Sequence, residues 1–297
     1  MLASLLRRII ITQLFFGGLL GWWVTRKLEI SPGWATIGAL MLPVVSIKLI
    51  VFIAAVRAYP AGTNPMLWWR SIVGENWSTL RLALLEMPWT FRAPAVMPAL
   101  GAEQRIPMVL VHGYVCNHRI FDRLTVDLRR AGHPVLAVDL EPLFTSIDDY
   151  TPLVEQAVER LCKETGAAQV ALVGHSMGGL VIRAWMREYG SARVARVLTL
   201  GTPHSGTKAD PFPFTPNSRQ MVWQSPWLKA LTDSESLATH HLMQIALSPQ
   251  DAIVFPQQEQ VLPGAAVEVF EGLGHIELCF NPQVRNWIVG QLDIPKL

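Results

Sequence analysis

The chain has 297 residues, room for one large domain with an appendage or for two modest domains. Its net charge of +2, without a basic stripe, a zinc-type Cys/His spacing or a glycine-rich phosphate loop, predicts no nucleic-acid partner and no nucleotide or zinc chemistry. Charged residues make up only 16% and hydrophobic residues 51%, against roughly 25% charged in ordinary soluble domains, and most of the excess precedes Tyr59.

The first apolar run, Ile9 to Val24, carries no charge and is flanked by Arg7-Arg8 and Arg26-Lys27. It is slightly short for a span, but flanking residues can extend it, and Trp22-Trp23 suit a lipid–water boundary. A second run from Trp34 to Ala58 is interrupted by Pro43 and Lys48. A cleaved signal peptide is disfavoured, because a second long run follows and no small-x-small cleavage site stands out. Buried core helices are the soluble alternative. Residues 1–60 are therefore expected to enter a membrane as a hairpin, or as one span with a re-entrant piece. Two spans return the rest of the chain to the cytoplasmic side and one places it outside, and the flanking charges do not decide between them.

Residues 61–104 form a connecting segment. In ENWSTLRLALLEM, Trp77, Leu80, Leu84 and Leu85 share helical spacing with Arg81 on another side, as in a helix capping a core or lying in a lipid interface. The stretch APAVMPALGAEQRIP reads as a linker, so the next domain is expected to begin near Arg105.

From there short apolar runs alternate with helical patterns. Strands are predicted at 108–111, 135–140, 170–173, 197–200, 242–247 and 267–270. Helices are predicted at 121–131, 152–165 and 180–189, with a last one after Pro282. Such alternation implies βαβ units and a mainly parallel, doubly wound α/β sheet, with active groups on loops beyond the carboxyl ends of its strands.

The strand Val170–Val173 runs into Gly174-His175-Ser176-Met177-Gly178-Gly179 and then into a helix, the strand–turn–helix context that G-x-S-x-G requires. Ser176 is the candidate nucleophile. In the α/β-hydrolases, which this motif in this context resembles, the acid and base follow later in the chain, the acid first. Asp251 directly follows a predicted strand, whereas Asp210 and Asp233 follow none and Asp293 lies too late. His275 sits in a glycine-flanked loop after the last strand; His240 and His241 come in the wrong order, and His204 is too close to the neighbouring strand. In the expected roles His275 shuttles the Ser176 proton while Asp251 fixes its tautomer. The turn His112-Gly113-Tyr114 after the first strand, together with Met177, offers backbone N–H groups of Tyr114 and Met177 as an oxyanion hole. His112 itself reads equally well as a structural hydrogen-bonder. The cysteines, Cys116, Cys162 and Cys279, read as free thiols.

Taken in order, VLVHGY at 109–114, GHSMGG at 174–179, LGTPHSG at 200–206, SPQD at 248–251 and GLGH at 272–275 resemble the bacterial lipase/esterase family of α/β-hydrolases. The resemblance spans residues 105–297 and implies hydrolysis of carboxylic esters, often acyl-chain esters, with no organic cofactor. Some relatives bind calcium, but no metal ligands can be named here. By the same analogy the Pro-, Trp- and Phe-rich stretch at about 206–240 is a cap or lid over a hydrophobic acyl pocket, with a rigid surface excursion as its alternative. The expected substrate is a hydrophobic acyl ester or lipid, beside membrane lipid in a bacterial inner membrane. A thioesterase, acyltransferase or amidase on the same frame is the nearest rival. A non-catalytic membrane scaffold is disfavoured by the filled triad positions. Oligomeric state is left open.

Overall fold

The computed structural model describes residues 1–29, 31–59, 64–101, 104–209 and 213–292. Its N-terminal part is a pair of long helices, α1 (Leu2–Leu28) and α2 (Gly33–Ala58), followed by α3 (Pro65–Leu80). Close approach of Gly38 to Gly21, and a hydrogen bond from Gln13 Nε2 to Ser46 Oγ at 3.2 Å, pair α1 and α2 as an antiparallel hairpin. Small residues at such a contact let the backbones approach closely. The start of α1 is fastened to the rest of the molecule: Leu2 is buried with Leu82 and Met87, and its N–H donates to Glu141.

Asn64 caps α3 and Pro65 opens it, as their chemistry favours. The helix then widens into a π-helical stretch over Arg81–Glu86. The predicted apolar stripe is only partly realised here. Trp77 and Leu85 are 71% and 69% exposed, while the inward face carries Trp68, Ser71, Glu75, Ser78 and Leu82. Polar groups can occupy that face because partners await them in the folded protein. Apolar periodicity contains no information about those partners.

The centre of the molecule is a sheet of β1 (Met108–Val111), β2 (Val135–Val138), β3 (Val170–His175), β4 (Val194–Leu200), β5 (Met243–Leu247) and β6 (Ala266–Val269). Their order is β2-β1-β3-β4-β5-β6, and every neighbouring pair is parallel. Alternate residues serve opposite faces. Val109, Val111 and Leu172 pack on one side with α5 (Thr151–Thr165) and α6 (Met177–Tyr189). Leu110, Ala171 and Val173 pack on the other with α4 (Asp122–Arg130) and α11 (Pro282–Leu292). Burial on both faces explains why β1 and β3 are continuous apolar runs rather than alternating ones.

All six predicted strands exist, with ends differing by up to three residues. The nucleophile helix starts at Met177 rather than Leu180, and the linker is not structureless, since Met97 bridges Val135 on the β2 edge. The segment between β4 and β5 holds α7 (Pro216–Gln220), α8 (Pro226–Asp233) and α9 (Leu237–His241). Its second half is tied down by Arg183 of α6, which donates to both carboxylate oxygens of Glu235 at 2.8 and 2.6 Å and to Thr232. Between β6 and α11 lies the short α10 (Glu277–Phe280).

Candidate active site

Ser176 follows β3 and precedes α6, with φ 54° and ψ −128°, a backbone conformation that side chains rarely adopt. The turn is held by the Ser176 N–H on Leu200 O and by the Gly179 N–H on Ser176 O. A side chain at position 178 would collide with the Val111 carbonyl, which is why the turn needs glycine there. The loop after β1 comes equally near: a Cβ on Gly113 would lie 2.7 Å from Ser176 Cβ. That approach brings the Tyr114 backbone beside the serine. Among the described residues neither the Tyr114 N–H nor the Met177 N–H is hydrogen-bonded elsewhere, so both are open to an incoming oxygen.

Asp251 lies just beyond β5 and His275 just beyond β6. His275 Nδ1 donates to Asp251 Oδ2 at 2.7 Å. Asp251 Oδ1 accepts the N–H groups of Ile253 and Val254 at 2.8 and 2.9 Å, so the carboxylate cannot rotate freely. Burial opposes the imidazolium, but the Asp251 carboxylate and its hydrogen bond, with Glu75 adding to them, hold the His275 pKa above the ordinary value. With Nδ1 as the donor, Nε2 is left to accept a proton. Among the described residues the Ser176 hydroxyl makes no hydrogen bond, to His275 or to any other group. Such contacts are often loose without substrate and tighten in the reacting complex.

Of the rival residues, Asp233 is exposed at the end of α8, and Asp210 and Asp293 lie outside the described residues. His204 is buried between Thr199 Oγ1 and Arg183, with its pKa pushed well down by burial and then by the guanidinium. His240 bonds Pro263 O and Glu235, and His241 lies beside Gly264. His112 donates Nδ1–H to Gly113 O and accepts the Leu140 N–H at Nε2, so its neutral tautomer braces the loop. The structural reading of His112 holds.

Several residues were not singled out from sequence. His175 donates to the His275 carbonyl at 3.2 Å, Ser248 Oγ donates to Leu273 O, and Gln250 accepts the Gly272 N–H. Glu75 of α3 accepts the N–H groups of Ile276 and Glu277. The His175 contact had a signal, since that residue adjoins the nucleophile. Glu75 had none, because about 200 residues separate it from its partners.

A cavity of about 120 Å³ opens on Ser176, lined by Tyr114, Pro203, Thr207, Met221, Val222 and Ile253 among others. Thr207, Ala209, Ser218, Met221 and Val222 thus contribute walls to the space beside the serine. A larger groove of about 700 Å³ between α2, α3 and α4 contains none of these candidate residues. Among the described residues no cluster of three His, Cys, Asp or Glu side chains has the arrangement of a metal site. Cys116, Cys162 and Cys279 are unbridged, and burial pushes the Cys116 thiol up to about 12.

A family model described as the alpha/beta hydrolase fold matches residues 106–252. A triacylglycerol lipase of Burkholderia plantarii is 33% identical over 126 residues, 39% of this chain and 35% of its own length. The lysosomal thioesterase PPT2 of Rattus norvegicus is 29% identical over 175 residues, 54% of this chain and 55% of its own. The chain thus spans about a third to a half of these curated relatives. Among solved structures, the Bacillus licheniformis lipase BlEst2 in its propeptide form superposes with a TM-score of 0.58 at 17% identity, covering 67% of this chain and 53% of that one.

Proposed function

We propose, for a chain that belongs to the α/β-hydrolase fold family, that it is a membrane-anchored serine hydrolase of acyl esters working through Ser176, His275 and Asp251. The observation that carries the reading is the Asp251–His275 pair, poised at the carboxyl ends of β5 and β6 beside the strained Ser176 turn. In the reaction, Ser176 Oγ attacks the acyl carbonyl while His275 Nε2 takes its proton. The oxygen of the tetrahedral intermediate is received by the N–H groups of Tyr114 and Met177, the latter at the positive end of α6. His275 returns the proton to the leaving alkoxide, and water then releases the acyl group by the same route. Asp251 holds the imidazole in the Nδ1–H tautomer and favours its cation.

The match to triacylglycerol lipases supports an acyl-ester or lipid substrate. The match to a lysosomal thioesterase favours acyl thioesters as the second reading, since the same machinery attacks either carbonyl. The cavity over Ser176 is smaller than the roughly 300 Å³ at which ligand pockets usually begin. A long acyl chain therefore requires the wall formed by Thr207, Met221 and Val222 to shift, which is the role of a lid.

Membrane attachment through α1 and α2 is part of the proposal. Both are long and apolar enough to span, yet only 17% and 18% of their most apolar windows is buried, unlike core helices. Docking of Leu2 into the core favours a retained anchor over a cleaved leader. As an antiparallel hairpin the pair opens both ends towards the catalytic domain, so that domain sits on the side where the chain begins. The exposed face of α3, with Met66, Trp69, Val73 and Trp77, extends the apolar surface into the lipid interface.

The test is a series of acyl esters and matching thioesters of increasing chain length, with and without a lipid interface. It is run on the intact chain beside Ser176→Ala, with fluorophosphonate labelling in parallel. Activity and labelling that both persist in Ser176→Ala would overturn the assignment. Extraction of the intact chain by alkaline carbonate would overturn the anchor.

A further inference from the structure

Helix α3 precedes the segment matched by the family model, yet it is the element that grips the loop carrying His275. Glu75 Oε2 accepts the Ile276 N–H at 2.8 Å and the Glu277 N–H at 3.2 Å. One turn earlier, Arg70 donates to the Gly272 carbonyl. Gly274 lies so close that a Cβ there would sit 2.5 Å from both Glu75 Cβ and Glu75 Oε2. One helix therefore fixes the loop on both sides of the imidazole.

We propose that Glu75 is a positioning residue for His275, fixing the loop backbone and adding a second carboxylate to the field in which the imidazole takes up its proton. The inference rests on the hydrolase reading above for what that proton does. A plug of the gap would not need a carboxylate, because an isolated buried charge is costly unless it is hydrogen-bonded or paired. Glu75 has hydrogen-bond partners directly after the histidine, the N–H groups of Ile276 and Glu277. The groups facing it are His275 and Asp251 across the site, Glu277 and Cys279 of α10, Cys116 after β1, and Thr79 on its own helix. Burial pushes its carboxyl up to about 7, while His275 and the two N–H groups pull the other way. It therefore ionises in the range where an imidazole titrates.

The consequence is that α3 is part of the catalytic unit, not only a connector. The experiment uses the full chain in detergent. In the Ser176→Ala background, the His275 imidazole is titrated by NMR with Glu75 intact and as Glu75→Gln. The expected result is a midpoint moved to lower pH in Glu75→Gln, since a nearby negative charge has gone. An unchanged midpoint overturns the proposal, whether or not the chain hydrolyses esters. In the parallel kinetics, Glu75→Gln lowers kcat with KM little changed and moves the acid limb of the profile to lower pH. Glu75→Ala, which also frees the loop, loses about 10²-fold in kcat. A wild type without esterase activity but with the shifted His275 midpoint would defeat the hydrolase reading and leave the positioning role standing. Wild-type kinetics in Glu75→Gln would do the reverse.

Discussion

Asp251 and His275 meet through a 2.7 Å hydrogen bond from Nδ1 to Oδ2, with the other carboxylate oxygen already held by two backbone N–H groups. The pair is thereby fixed in one tautomer. Asp251→Asn is expected to keep the fold but to favour the wrong tautomer, with kcat falling by about 10⁴. Steady-state ester hydrolysis checks this. Near-normal turnover would return the acid to Asp233 or Asp210.

Because His275 must be neutral to accept the serine proton, kcat/KM should rise with pH through its titration. The net pull of Asp251 and Glu75 against burial holds that pKa above 6.5, so the half-maximal point is expected above 6.5 as well. A pH–rate profile on an uncharged ester reads it directly. In Ser176→Ala the rate is expected to fall by about 10⁶ across that whole range, with the thermal transition retained.

Glu75 should cost stability where it serves activity. Its folded pKa of about 7 exceeds the 4.5 of an unstructured glutamate, so the native state binds that proton more tightly. The group's stabilising contribution is complete below pH 4.5 and disappears as pH climbs through 7. Glu75→Gln, which never ionises, is expected to be more stable than the parent at pH 8 by up to ~3 kcal/mol. The gap should close toward pH 5. Thermal unfolding at the two pH values tests this, and equal gaps would contradict it.

Arg183 has no exposed surface and ties α6 to Glu235 and Thr232. Arg183→Ala leaves the buried Glu235 carboxylate with His240 in place of its guanidinium partner and is expected to cost about 3–5 kcal/mol. The double replacement Arg183→Met with Glu235→Leu should cost much less, because no buried charge is left alone. Thermal denaturation and the rate of proteolysis within 206–240 distinguish the two.

Met221 lines the small cavity over Ser176. Met221→Ala should raise kcat/KM for longer acyl esters relative to short ones, by about tenfold for each methylene newly accommodated. A chain-length profile identical to that of the parent would mean that another wall limits the acyl group.

The order of strands and helices, the turn at Ser176 and the order in which Asp251 and His275 follow it were written in the chain itself. These features are local: an apolar run buried on both faces, a glycine where a backbone crosses, a serine between strand and helix. Long apolar runs likewise marked the N-terminal stretch that forms α1 and α2, helices long and apolar enough to cross a membrane. What only the tertiary structure decided was who meets whom. No local pattern says that Glu75 will accept N–H groups at 276 and 277, that Arg183 will fasten Glu235, or that Trp77 will face outward while Ser71 and Ser78 face in. Helical spacing reports which residues share a face. Whether that face meets lipid, core or a distant loop depends on contacts closed across the whole fold.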